Sequence, residues 1–209
     1  RKESLIDFIT FGFVPSPKTM FENLFSINPG SFIEFSFINE KVMIEKSQYY
    51  WKPIINNEIN DFSHAVELIS DSINQSIKEG MDASVDVACL LSGGVDSSLI
   101  FSYARNINKD IFAVTADFGE HDDADYRSKS LVEALGHRNH LIKNILKEDV
   151  DDSLKINRKI CESPFDDTSI LPSHIVFSSV KSSGYSVALT GDGADELFCG
   201  YSSFGNLQK

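Results

Sequence analysis

Two short segments gather the groups that could carry chemistry. In the first, Ser92-Gly93-Gly94-Val95-Asp96-Ser97-Ser98 follows an apolar run, "VACLL", and opens a stretch of helical periodicity, "SSLIFSYARNI". Backbone N–H groups at a strand-to-helix junction converge on an anion, and the helix N-terminus adds a favourable partial charge. Two glycines remove the side chains that would block close approach of that backbone. Ser92, Ser97 and Ser98 add hydroxyl donors, so phosphate is the natural guest. Asp96 cannot face phosphate bare and reads as a ligand to Mg²⁺. Neither the lysine-bearing loop G-x-x-x-x-G-K-[ST] nor the dinucleotide fingerprint G-x-G-x-x-G is present. A tight turn capped by Asp or Ser would explain two glycines alone, but the complete string in its strand-to-helix setting favours an anion site.

The second segment, "VALTGDGADELFCGY" (Val187 to Tyr201), repeats the strand-then-glycine design and carries Asp192, Asp195 and Glu196. Three carboxylates on one rim repel one another and any polyphosphate unless a divalent cation or protons relieve them. A Mg²⁺ site shared with Asp96 is therefore expected, against the plainer alternative of an acidic turn that caps a following helix.

The elements that must position these segments alternate. From Phe62 the apolar residues Phe62, Val66, Ile69, Ile73 and Ile77 fall on one helical face, with Gly80 as the expected stop. After it, "VDVACLL", "IFAVTADF", "HLIKNIL" and "YSVALT" read as strands. They are separated by helical patterns over "SSLIFSYARNI", "ADYRSKSLVEALG", Asp149 to Ile160 and Leu171 to Ser183. Such alternation predicts an α/β fold, a parallel sheet with helices on both faces. Ligands in such sheets sit beyond the carboxyl ends of the strands, so the loops after Leu91, Phe118 and Thr190 should share a rim. The first fifty residues differ. Turns at "VPSP" and "NPGSF" lead to "SFIEFSFI" and "KVMIEKSQYY", a strand and its hairpin partner, so this front section is expected to be β-rich. "WKPIINNEIND" reads as a linker.

The totals narrow the function class. The 209 residues are 42% hydrophobic. That is enough for a packed core. No apolar run approaches the length of a membrane helix, roughly 20 residues. A formal net charge of −12 argues against a nucleic-acid face, which needs clustered Lys and Arg. Three widely separated cysteines, Cys89, Cys161 and Cys199, and no cleavable signal fit a reducing cytoplasm. His137 and His140 have H-x-x-H spacing, but the context reads as entry to a strand rather than as a metal motif. Cys89 reads as a packing residue. "EHDDADYR" (Glu120 to Arg127) reads as a solvated acidic loop, since EF-hand spacing is missing.

"SGGVDSS" resembles the pyrophosphatase loop of the N-type ATP pyrophosphatases (PP-loop enzymes), which cleave ATP between the α and β phosphates and adenylate a substrate. "TGDGADELFCGY" resembles the G-[DE]-G-x-D-E-L-F-x-G-Y signature of the glutamine-hydrolysing asparagine synthetase family. "ESPFDDTSILPSH" is similar to that family's acceptor-side loop, and "FGFVPSPKTMFENLFSINPGSFIEF" to the end of its glutamine-hydrolysing domain. The resemblance implies residues 1–55 as the remnant of an N-terminal-nucleophile glutaminase domain and its linker. It implies residues 56–209 as a synthetase domain, truncated at its C-terminus, with an adenine nucleotide alpha hydrolase-like sheet.

What the resemblance implies at the site is carried over position by position. Leu90 and Val114 would line an adenine pocket, with Thr190 and Gly191 against the nucleotide. Ser92, Gly93, Gly94, Asp96, Ser97 and Ser98 would hold pyrophosphate, and Asp96 with Asp195 would bind Mg²⁺. Asp192 would be the catalytic carboxylate. The expected reaction is ATP-dependent amidation of a small-molecule carboxylate, aspartate in that family, through an acyl-adenylate. Ammonia would come from glutamine, and the full-length form would be a homodimer without nucleic acid or membrane partners. Leu171 stands where some asparagine synthetases place an arginine, which leaves the acid open; Ala194 and Cys199 replace small residues of relatives. The glutaminase's nucleophilic cysteine and the later phosphate-binding lysine are outside this sequence, so the chain is expected to be part of a longer protein and inactive alone. Alternatives are a lactam-forming or polysaccharide-modifying relative and a non-catalytic nucleotide-binding module. Lactam-forming relatives would be expected to have tyrosine at position 192.

Overall fold

The computed structural model describes residues 1–54, 58–119, 124–161, 163, 164, 166–202 and 204. Positions 55–57 of the linker, 120–123 of the acidic loop, 162 and 165 of the acceptor-side loop, and 203 and 205–209 lie outside the described residues. The chain separates into two compact units, Arg1–Glu58 with Ile156–Thr168, and Ile59–Lys155 with Ser169–Lys209.

The first unit opens with a helix that its composition did not announce, α1 (Lys2–Phe11). Gly12 ends it in a left-handed conformation, φ 79°, and its amide donates to the Phe8 carbonyl at 2.8 Å. Only glycine adopts such an end without steric cost. The expected hairpin follows as β1 (Ser31–Ile38) and β2 (Lys41–Tyr49), antiparallel from Ser31↔Tyr49 to Ile38↔Lys41. Asn39 and Glu40 form the two-residue turn, with φ of 50° and 62°. A left-handed pair of this kind matches the twist of the strands it joins.

The second unit carries the α/β fold. Its elements are α2 (Phe62–Met81), β3 (Val87–Leu90), α3 (Val95–Ile107), β4 (Phe112–Asp117), α4 (Ala124–Ala134), β5 (His140–Asn144), α6 (Ile170–Ser182), β6 (Val187–Leu189) and α7 (Ala194–Phe198). A further helix, α5 (Lys147–Ile160), begins here and ends in the first unit. The four strands pair in the order β5-β4-β3-β6, all parallel. Asp61 starts α2 by accepting from the His64 amide at 2.9 Å. This side-chain cap satisfies one orphan donor of the first turn.

Gly80 is not the stop expected of it: α2 continues to Met81. A Cβ on Gly80 would lie 2.9 Å from Leu189 Cδ2, the tip of a side chain of β6 that packs against α2 here. No described helix is long and apolar enough to cross a membrane.

Strand periodicity sorts the core into two faces. On one, Cys89, Leu91 and Ala113 pack with Ile77 of α2, Phe101 and Ala104 of α3, and Val132 of α4. On the other, Ala88 and Val114 pack with Val176 and Val180 of α6, with Leu90 and Ala116 beside them. Phe101 is the largest side chain in the first cluster and has no exposed surface. Phe101→Ala should therefore cost about 3–5 kcal/mol of unfolding free energy in urea titrations. Phe62 is 82% exposed. Phe62→Ala should stay within about 0.5 kcal/mol of the parent.

Candidate functional site

The first glycine loop leaves the end of β3 where the Leu91 amide donates to the Val114 carbonyl at 2.8 Å, extending the ladder by one residue. The chain then turns through Gly93 at φ 73°, and Gly94 caps α3 with extended backbone, φ −74° and ψ 167°. Ser97 closes the turn from inside. Its hydroxyl lies 2.9 Å from Ser92 Oγ, accepts from the Ser92 amide at 3.2 Å and is 3.3 Å from the Gly94 carbonyl. Ser97 is buried and so acts as the internal brace of the loop, while Ser92 and Gly94 are exposed. Asp96 stands in the first turn of α3, half-buried.

The second loop leaves β6 beside it. Pairing of Cys89 with Leu189 sets β3 and β6 side by side, pointing the same way, so both loops emerge on one edge. There they touch. A Cβ built on Gly191 would lie 3.2 Å from Asp96 Cβ and 3.2 Å from the Ser97 amide nitrogen, tighter than ordinary contact. Thr190 Oγ1 is 3.4 Å from the Asp192 amide, and Gly193, φ 87°, precedes α7. Asp192 is exposed at the turn. Asp195 packs its carboxylate against Gly200, where a Cβ would overlap it, and Glu196 accepts from the Tyr201 hydroxyl at 2.7 Å.

A cavity flanks the loops on each side of the sheet. On the α6 face a cavity of about 390 Å³ is lined by Leu90, Val114, Ala116 and Val176, with Ser92 and Gly94 along one edge. Phe118, Arg127 and Ser173 complete its walls. On the opposite face a cavity of about 470 Å³ lies among the apolar residues of α2, α3 and α7, and Asp96, Gly191 and Asp192 line it. The first is an apolar cavity that runs into the glycine turn; the second brings two carboxylates to an apolar wall.

The structure thus brings Leu90, Val114, Ser92 and Gly94 together on one cavity, and Asp96, Gly191 and Asp192 on the other. Asp195 lines neither. Among the described residues no group of three or more His, Cys, Asp or Glu is arranged to hold a metal ion. Mg²⁺ keeps several waters and takes its remaining oxygens from phosphate, so one carboxylate from each turn, Asp96 and the expected Asp195, is a sufficient protein donor set. Leu171 lies in the first turn of α6, and its carbonyl accepts from the buried Ser153 hydroxyl at 3.1 Å.

Sequence reasoning put the Phe118 loop on the same rim but missed Ala116, Arg127, Ser173 and Val176. For Ala116 a signal existed, since it shares the strand face of Val114. The others depend on which helices cover that face. It also missed the support beneath the loop. Thr115, 1% exposed, donates its hydroxyl hydrogen to the Leu91 carbonyl, and His140 Nε2 lies 2.8 Å from Thr115 Oγ1. With its own hydrogen committed, Thr115 must accept from an Nε2–H, which fixes the tautomer of neutral His140. His137 Nδ1 and Nε2 lie 3.2 and 3.3 Å from the carbonyl oxygens of Lys109 and Asn139, of which a neutral ring donates to one, and the ring meets Phe101 edge to face. Cys89 is fully buried, and burial pushes its thiol up to about 12.

Residues 68–209 match the family model described as asparagine synthase. Asparagine synthetase (glutamine-hydrolyzing) 1 of Bacillus subtilis is 30% identical over 206 residues, 97% of this chain and 31% of that protein. Putative asparagine synthetase (glutamine-hydrolyzing) 2 of Methanocaldococcus jannaschii is 27% identical over 205 residues, 96% and 38% of the two chains. The chain spans about a third of the length of these curated relatives. Among solved structures, an NH3-dependent NAD synthetase from Campylobacter jejuni aligns with 68% of this chain and 61% of its own, at 18% identity and a TM-score of 0.42.

His140 titrates below its ordinary value of 6.5 because of burial first, then the charges of His137 and Lys129. The unfolded chain therefore takes up this proton more readily than the folded one. The contribution to stability is whole above pH 6.5 and is lost as pH falls through that value towards the folded pKa. Urea midpoints at pH 7.5 and 5.5 should show a larger drop for the parent than for His140→Gln. Equal drops would contradict the assignment.

Proposed function

The chain belongs to the asparagine synthase family, and on that premise we propose that it is the adenylating part of a ligase that amidates a carboxylic acid at the expense of ATP. The observation that carries this reading is the contact of Gly191 with Asp96 and the Ser97 amide, which joins a phosphate-binding turn to an acidic turn on one edge of the sheet. An isolated nucleotide-binding turn would not need the second.

In this reading the adenine lies on Leu90, Val114 and Ala116, and the polyphosphate follows the turn from Ser92 to Ser98, with Thr190 and Gly191 against the nucleotide. The amides of Gly93 and Gly94, the Ser92 hydroxyl and the start of α3 offer hydrogen bonds to anionic oxygens. Ser97 keeps the turn closed rather than contacting the phosphate broadly, since it is buried. Asp96 and Asp195 would hold Mg²⁺, which when bound neutralises charge on the departing pyrophosphate.

An oxygen of the acid attacks the α-phosphorus and the bond to pyrophosphate breaks, leaving an acyl-adenylate. Ammonia then attacks the acyl carbon and AMP departs. Asp192, exposed on the acidic turn and unencumbered by the Tyr201 contact that occupies Glu196, orients the ammonia and takes a proton from it as general base. Its carboxylate favours ammonia as the nucleophile over an internal amine. Aspartate is the proposed acid, glutamine the proposed source of ammonia through a glutaminase part of the same protein, and the cytoplasm the proposed setting, which the three free cysteines support.

The test uses the full-length protein with ammonium as nitrogen source and a panel of carboxylic acids headed by L-aspartate. Mg-ATP should raise the melting temperature, and one acid should elicit pyrophosphate. Asp192→Asn should lower amide formation about 10²- to 10⁴-fold while first-step pyrophosphate release persists. Amide formation by the Asn variant at the parent rate would remove Asp192 from the mechanism. Absence of any Mg-ATP effect would remove the reading.

A further inference from the structure

The two cavities beside the glycine turn differ in sign of charge. The cavity on the α2 and α3 side carries the carboxylates of Asp96 and Asp192, and among the described residues no cation lines it. Arg127 is the charged residue that lines the cavity on the α6 side, with no carboxylate there among the described residues. The turn between them supplies neutral donors and no lysine. An oxyanion placed on the acidic side meets repulsion; on the other side it meets a guanidinium. The first turn of α6 adds to that preference. Ser169 and Ser173 line the same cavity, where the amides of a 13-residue helix begin. The dipole of a helix is positive at that end.

We infer that Arg127 is an anion-recognition residue of this site, binding an oxyanion of the bound reactants across the cavity from Leu90 and Ser92. The inference rests on the adenylating reading and deepens it. Two sources share the required chemistry: the α-phosphate of the nucleotide, and the spare carboxylate of a dicarboxylic acid. Guanidinium suits either, because its forked donors match paired oxygens, which an ammonium cannot do. Arg127 is exposed near the start of α4 and is no part of either buried core cluster, so replacing it tests binding rather than folding.

In the full-length protein, titrations with Mg-ATP, AMP and adenosine should be compared for the parent, Arg127→Ala and Arg127→Lys, each with an unchanged melting temperature without ligand. The dependence of pyrophosphate release on each acid that supports it should be measured in parallel. If phosphate is the source, Arg127→Ala weakens AMP and ATP about tenfold or more and leaves adenosine unchanged. If carboxylate is the source, nucleotide affinities hold and the KM for the dicarboxylic acid rises by a similar factor. Lys should restore part of either loss. Parent-like affinities for every nucleotide together with a parent-like KM for every active acid would overturn the assignment. Failure of the parent itself to bind Mg-ATP would instead overturn the adenylating reading.

Discussion

A missing Cβ at Gly191 governs the geometry of the site. Parallel pairing of β3 with β6 delivers both glycine turns to one edge of the sheet, but strand pairing alone leaves side chains between them. At Gly191 the backbone approaches Asp96 and Ser97 so closely that a Cβ would lie 3.2 Å from each, and a side chain there would require its neighbours to shift by a few tenths of an ångström. The backbone amides of one turn and the carboxylates of the other therefore stand next to each other at that edge. The proposed anion site depends on this contact between two ordinary strand-to-helix connections.

The supports of that contact are neutral, with Ser97 and Thr115 buried and His140 half-buried. Ser97 braces the first turn from inside, and the Thr115 hydroxyl holds the Leu91 carbonyl where β3 ends, with His140 fixing the hydroxyl in turn. These groups keep the loop in place without adding charge. The charge lies outside, and it is divided. Asp96 and Asp192 face the α2 and α3 side, and Arg127 the α6 side. A polyphosphate with Mg²⁺ on one flank and a cationic side chain on the other would meet complementary potential on both.

Much of this was legible in the sequence because its signals are local. Period-two and period-3.6 patterns located the strands and helices of the second unit, and "SGGVDSS" displayed the glycine and hydroxyl positions of the turn directly. The helix α1 was obscured by turn signals around it, and Gly80 looked like a stop because the Leu189 side chain that packs against α2 there is visible only in the folded chain. Arg127 and Val176 could not be read as neighbours of Leu90, since nothing local states which helix covers which face of a sheet. Thr115 and His140 meet because β4 and β5 pair with Ala113 opposite His140, which puts both side chains on one face two residues out of step. That register is a tertiary fact.

The central claim is that the two turns act on one bound nucleotide. Hydrogen exchange of the full-length protein, with and without Mg²⁺ and an ATP analogue that cannot be cleaved between its α and β phosphates, tests it most directly. Amides in residues 92–98 and 190–195 should slow together, over the same range of analogue concentration. Protection confined to one segment, or to neither at concentrations that saturate binding, would contradict the account.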